Sequence, residues 1–185
     1  MTGTFLKNED LPHYTYDDYV QWEDQSQWEL LKGIPFAMVP APALKHQDLS
    51  LEIAVQLKRL LAECSKCHVY EAVDWLIGDD TVVRPDVLVL CEENPDENKL
   101  VVPPVLVFEI LSPSTTRKDK ILKYRFYRDE GVKYYCIVDP KTDSTDIFKL
   151  RNHEYKEDND FKDGKIIFDL GPCTIAFDFS QIFES

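Results

Sequence analysis

Two carboxylates stand where a buried strand has no ordinary use for them. Asp86 follows Pro85 and opens the apolar run Val87-Leu88-Val89-Leu90, and Glu109 interrupts Val105-Leu106-Val107-Phe108 before Ile110-Leu111. Alternation puts Val105, Val107, Glu109 and Leu111 on one face of the second run and Leu106, Phe108 and Ile110 on the other. Apolar residues on both faces describe a strand covered on both sides. A charge there is costly unless a cation or hydrogen-bond donors meet it. Two acids at neighbouring strand ends make a natural cradle for a hard divalent ion such as Mg2+. A plainer reading stays open: a chance Pro-Asp dipeptide, with Glu109 paired to a nearby Lys or Arg.

Further reactive side chains follow in the chain. On a helix expected from about Arg117 to Glu130, Asp119, Lys123 and Tyr127 are spaced four apart and share one stripe. The same stretch concentrates basic charge in Arg117, Lys118, Lys120, Lys123, Arg125 and Arg128. By pattern alone Arg117, Lys118 and Arg125 are a solvated helix face. His46 falls in the first turn of an earlier helix, where a surface or capping role is commoner than a catalytic one. Cys64-Ser65-Lys66-Cys67-His68 matches the C-x-x-C-H haem-attachment pattern. Haem attachment would require export, and the polar stretch from Met1 to Pro12 shows no secretory signal. No second Cys pair completes a zinc site, so Cys64 and Cys67 are expected to be reduced loop thiols.

The elements that must position these groups can be placed in outline. Thr15 caps a short helix through about Glu23, with Asp18 completing a capping box. Trp28 to Leu31 and Ile34 to Met38 form a hairpin turning at Gly33, and Pro35 sends its second strand to an edge. A helix from Leu44 to about Glu63 lays Leu49, Ile53, Leu57 and Leu60 on a sheet. A strand is expected from Val69 to Ile77. The Gly78-Asp79-Asp80 turn leads into Thr81-Val82-Val83, then come the strands holding Asp86 and Glu109. Gly131 stops the basic helix, and Lys133 to Val138 and Thr145 to Leu150 are strands. Arg151 to Gly164 reads as a charged loop, followed by strands at Lys165 to Asp169 and Thr174 to Phe177 and a helical turn at Ser180 to Phe183. This order predicts an α/β sandwich with a mixed central sheet flanked by helices.

The 185 residues, 44% hydrophobic, suit one domain with a core at about 15–150 and C-terminal strands and a short helix over 151–185. No apolar run is long enough to span a membrane, and a cytoplasmic protein is expected. A net charge of −13 argues against sequence-blind attraction to nucleic acid.

Four segments together resemble the Uma-type endonuclease branch of the PD-(D/E)XK, or restriction-endonuclease-like, superfamily. They are Trp28-Glu29-Leu30-Leu31-Lys32-Gly33; Arg84-Pro85-Asp86-Val87; Phe108-Glu109-Ile110-Leu111-Ser112-Pro113-Ser114; and Asp119-x-x-x-Lys123-x-x-x-Tyr127 with Gly131-Val132 beyond. The resemblance implies a restriction-endonuclease-like fold and a nuclease hydrolysing DNA phosphodiesters with Mg2+ or Mn2+, by analogy as a homodimer. It also implies that Asp86 and Glu109 are the metal ligands and that Glu29 is a further acid of the site. One position departs from the superfamily pattern: two residues after Glu109 the usual lysine is Leu111. The resemblance assigns its role to Lys123, and with a phosphodiester substrate it makes Arg117, Lys118 and Arg125 candidates for contacts to flanking phosphates. The competing expectation is a nuclease fold kept as a binding or assembly module, its acids serving structure.

Overall fold

The computed structural model describes residues 12–22, 28–38, 43–112, 118–158 and 164–184, with the side chains of Lys118 and Asp119 outside the description. In chain order the first elements are α1 (Tyr16–Tyr19), β1 (Trp28–Leu31), β2 (Ile34–Ala37), α2 (Leu44–Leu60), β3 (His68–Glu71), β4 (Trp75–Ile77) and β5 (Thr81–Val83). Then come β6 (Val87–Leu90), β7 (Leu106–Ile110), a π-helical segment (Lys118–Lys123) running into α3 (Tyr124–Asp129), and β8 (Tyr134–Asp139). The chain continues through β9 (Ser144–Arg151), β10 (Glu154–Glu157), β11 (Lys165–Asp169), β12 (Thr174–Asp178) and α4 (Ser180–Phe183).

The central sheet has six strands in the order β10-β9-β8-β7-β6-β3. Among the described residues only β7 and β8 of this sheet run parallel, with Leu106 opposite Tyr134 and Ile110 opposite Val138. A parallel pair needs a crossover, and the segment carrying α3 supplies it. Every other neighbour is antiparallel, so the sheet is mixed as expected. Both faces of its middle strands are covered, which explains their unbroken apolar runs. One face (Val87, Val89, Leu106, Phe108, Ile110) packs on Leu49, Ile53 and Leu57 of α2 and on the β11–β12 hairpin. The other (Leu88, Val107, Leu111, Tyr135, Ile137) packs on Leu31, Trp75, Val83 and Tyr127. Each fully buried Leu, Val or Phe contributes on the order of 1.5–3 kcal/mol, and α3 is held by this burial more than by its short length.

A second sheet, ordered β2-β1-β5-β4, covers the Tyr127 side. Lys32 and Gly33 link β1 to β2 with φ of 51° and 73°, the two positive values of a tight two-residue hairpin turn. Pro35 lies in the edge strand β2, where a missing N–H costs no ladder bond.

Several expected elements differ. The Thr15–Asp18 capping box is present, but α1 ends at Tyr19, and Glu23 lies outside the described residues. The strand expected over 69–77 is two strands in different sheets, because Ala72 at φ 49° turns the chain between them. Asp86 precedes its strand instead of opening it. The helix after Glu109 begins with a π-helical segment and not as a regular α-helix. The charged stretch expected as a loop contains β10, hairpinned to β9 through Asn152 and His153 at positive φ. Charge alone hid that strand, for only Tyr155 of its four residues is buried. The cysteines differ most. Cys64 is joined to Cys173 and Cys67 to Cys91 as disulfides, and Cys136 is free and buried.

Candidate active site

Glu109 sits mid-strand on β7 and faces the side covered by α3 and the second sheet. Two residues of the crossover meet its Oε1: the Lys123 ammonium donates at 2.8 Å and the Tyr127 hydroxyl at 2.6 Å. Lys123 ends the π-helical segment and Tyr127 lies one turn later, so the i, i+4 spacing stacks both donors over one carboxylate. π-helical turns recur at functional sites, where the widened turn re-aims a side chain. The Lys123 ammonium is also 2.7 Å from Glu29 Oε1 on β1. Side-chain exposures of 0% for Glu29 and 3% each for Lys123 and Glu109 make this a sealed acid–cation–acid group.

Glu29 is held from a second direction, its Oε1 accepting the Arg84 main-chain N–H at 2.9 Å. The Arg84 guanidinium donates to Asp74 at 2.7 Å, and the Tyr19 hydroxyl donates to Asp74 at 3.0 Å and to the Trp28 carbonyl at 3.2 Å. Burial first, and the Asp74 carboxylate second, push the Tyr19 hydroxyl well above its ordinary range, so it stays a donor. Behind the site the Tyr127 ring stacks on Trp75, centroids 5.6 Å apart, and meets Tyr135 edge-on at 5.0 Å.

Asp86 is more open. Val87 pairs with Phe108 and Leu88 with Val107, and one further step along this antiparallel register sets Asp86 opposite Glu109. Its Oδ2 accepts the Ile110 N–H at 2.6 Å, and its Oδ1 lies 3.4 Å from His46 Nε2. Side-chain exposures are 19% for Asp86 and 16% for His46. The site is therefore graded, sealed at Lys123 and partly open at Asp86.

The structure thus gathers Glu29, Glu109, Lys123 and Tyr127, and places Asp86 beside His46. Arg125 is exposed, Arg117 lies outside the described residues, and so do the side chains of Lys118 and Asp119. Missed in the sequence were Asp74 and Trp75, and Arg84, although it opens one of the four segments, was given no role. An acid before a three-residue strand gives little warning of a buried network. One change tests the wiring: Tyr127→Phe keeps the ring and removes the hydroxyl from Glu109. It is expected to cost about 1.5–3 kcal/mol in denaturant unfolding, the range for a hydrogen bond to a charged group. A loss under about 0.5 kcal/mol would mean the bond contributes no net stability.

The donor chemistry fits a hard divalent cation, since Asp86, just before β6, and Glu109, on the neighbouring β7, both offer carboxylate oxygens. Ion triads this deeply buried gain little stability after desolvation.

A family model described as "Uma2: Putative restriction endonuclease" matches residues 16–169. The chain belongs to the Uma2 family. The Uma2 match runs from α1 to the end of β11 and contains Glu29, His46, Asp86, Glu109, Lys123 and Tyr127. The fold is similar to a solved structure titled a putative nuclease belonging to DUF820 from Anabaena variabilis ATCC 29413. Its TM-score is 0.74 at 16% identity, covering 92% of this chain and 97% of that one. At that identity the likeness speaks to the shared fold alone. No curated protein matches the chain. Among the described residues, no helix is long and apolar enough to cross a membrane.

Proposed function

We propose that this Uma2 chain is a metal-dependent endonuclease hydrolysing DNA phosphodiesters, with Asp86 and Glu109 as ligands for Mg2+ or Mn2+. The observation that supports it most is the Lys123 ammonium 2.8 Å from Glu109, arriving from the following helix where the strand itself offers Leu111. When bound, the cation would supply charge neutralisation at the phosphate and a lowered pKa for the attacking water. Hydrolysis adds water across the P–O bond, so the attacking oxygen loses a proton and the leaving oxygen gains one. Lys123 is the proposed catalytic cation, a fixed donor beside Glu109 for charge that develops on the phosphoryl oxygens. Glu29 holds the Lys123 ammonium from the far side, and Tyr127 fixes the Glu109 carboxylate. The Ile110 N–H and His46 set the direction of Asp86.

The sealed acid–cation–acid group also supports a second reading, in which the triad is structural and the fold serves binding or assembly. Cleavage separates the two. Supercoiled plasmid and single-stranded circular DNA, incubated with the full chain, are expected to be cut with Mg2+ or Mn2+ and spared with EDTA. Glu109→Gln should leave the DNA intact. Failure of the folded wild type to cut either substrate with either metal favours the structural reading.

A further inference from the structure

Four of the five cysteines meet beside the paired ends of β3 and β6. Cys64 and Cys67 flank the turn after α2, where the Cys67 N–H donates to the Cys64 carbonyl at 3.2 Å. Cys91 directly follows β6. Cys173 lies in the β11–β12 turn, its carbonyl accepting the Leu170 N–H at 2.9 Å. The sulfurs of Cys64, Cys67 and Cys173 all lie within 4.8 Å of one another, and that of Cys91 is bonded to Cys67. The fifth cysteine, Cys136, is elsewhere, and burial pushes its thiol well above the ordinary range.

We propose that in the reduced chain Cys64, Cys67, Cys91 and Cys173 hold one Zn2+ ion as a structural tetrathiolate site. The Cys67 and Cys173 sulfurs are 3.8 Å apart, which is the edge of a tetrahedron with Zn–S bonds of about 2.3 Å. A C-x-x-C turn gives one ligand pair, and the other two ligands come from separate elements, as in closed structural zinc sites. Soft thiolates select zinc over magnesium, so this site is independent of the carboxylates of Asp86 and Glu109. Binding releases the thiol protons to solvent and changes no oxidation state. The disulfide-bonded form offers no thiolate, so zinc and disulfides are exclusive. Cys91 lines an open groove of about 760 Å3 with Lys66, His68 and Glu92, which gives an ion a way in. Occupied, the site ties the end of α2, the end of β6 and the C-terminal hairpin at one point.

The test is to purify the full chain in reducing, chelator-free buffer and to measure zinc and free thiols. About one zinc per chain is expected. Replacement by Co2+ should give thiolate-to-metal charge-transfer bands and the intense visible bands of a tetrahedral site. Zinc should fall to below about a tenth of an equivalent in Cys64→Ser/Cys67→Ser and in Cys173→Ser, and stay unchanged in Asp86→Asn. Should the serine variants not fold, the Co2+ spectrum of the wild type decides. A reduced wild type that takes up neither metal overturns the proposal. So do disulfides that persist in reducing buffer, or zinc that survives in the serine variants.

Discussion

Lys123→Met is expected to abolish metal-dependent cleavage and to destabilise the fold by about 3–5 kcal/mol, the penalty for removing one partner of a buried ion pair. The ammonium lies 2.7 Å from Glu29 and 2.8 Å from Glu109, and with the Lys123 side chain 3% exposed water cannot replace it. A substitution that left the fold untouched would have suited an exposed lysine, and this one is buried. Stability and chemistry therefore need separating. Lys123→Met/Glu29→Gln removes one acid together with the cation, leaving Glu109 with the Tyr127 hydroxyl. The double variant should regain part of the lost stability in urea unfolding. Its cleavage rate should stay at least about 100-fold below wild type, the scale for losing one donor to a developing charge. A stable double variant that cuts at the wild-type rate would remove Lys123 from the mechanism.

Asp86→Asn should do the reverse and remove activity at little cost to folding. The amide is nearly isosteric, and its oxygen can still accept the Ile110 N–H that Asp86 receives at 2.6 Å. Partial exposure spares the variant a large desolvation change, so the expected loss is under about 1 kcal/mol. What disappears is a formal charge facing the proposed cation. Losing about 3–4 kcal/mol of transition-state stabilisation corresponds to a rate reduction of about 100- to 1000-fold. Cleavage within about threefold of wild type would place the cation elsewhere.

How much of this was visible beforehand differs from residue to residue. Glu109 was conspicuous because it breaks an apolar strand buried on both faces, and both faces are indeed covered. The Lys32-Gly33 hairpin, the stop at Gly131 and the mixed sheet followed from local turn chemistry and periodicity. What needed the fold was set by long-range partners. Glu29 was named by the resemblance alone, for by pattern it is the polar position of a hairpin strand; Arg84 and Lys123 meet it only in the fold. The break at Ala72 carries no glycine or proline to announce it. The C-x-x-C pair was visible, but Cys173 and Cys91, the partners of Cys64 and Cys67, were not, because they lie 109 and 24 residues away in the chain. Nor does composition reveal a π-helical turn, which here ends at Lys123.

Divalent-ion binding at the paired carboxylates tests the central claim most directly. Mn2+ titrated into the folded chain, with free ion followed by electron paramagnetic resonance, should show a site that Mg2+ displaces. Asp86→Asn should weaken that site by at least about tenfold, a difference of about 1.4 kcal/mol. Cys64→Ser/Cys67→Ser, if folded, should leave it unchanged. Mn2+ binding equally well to wild type and Asp86→Asn would contradict the account.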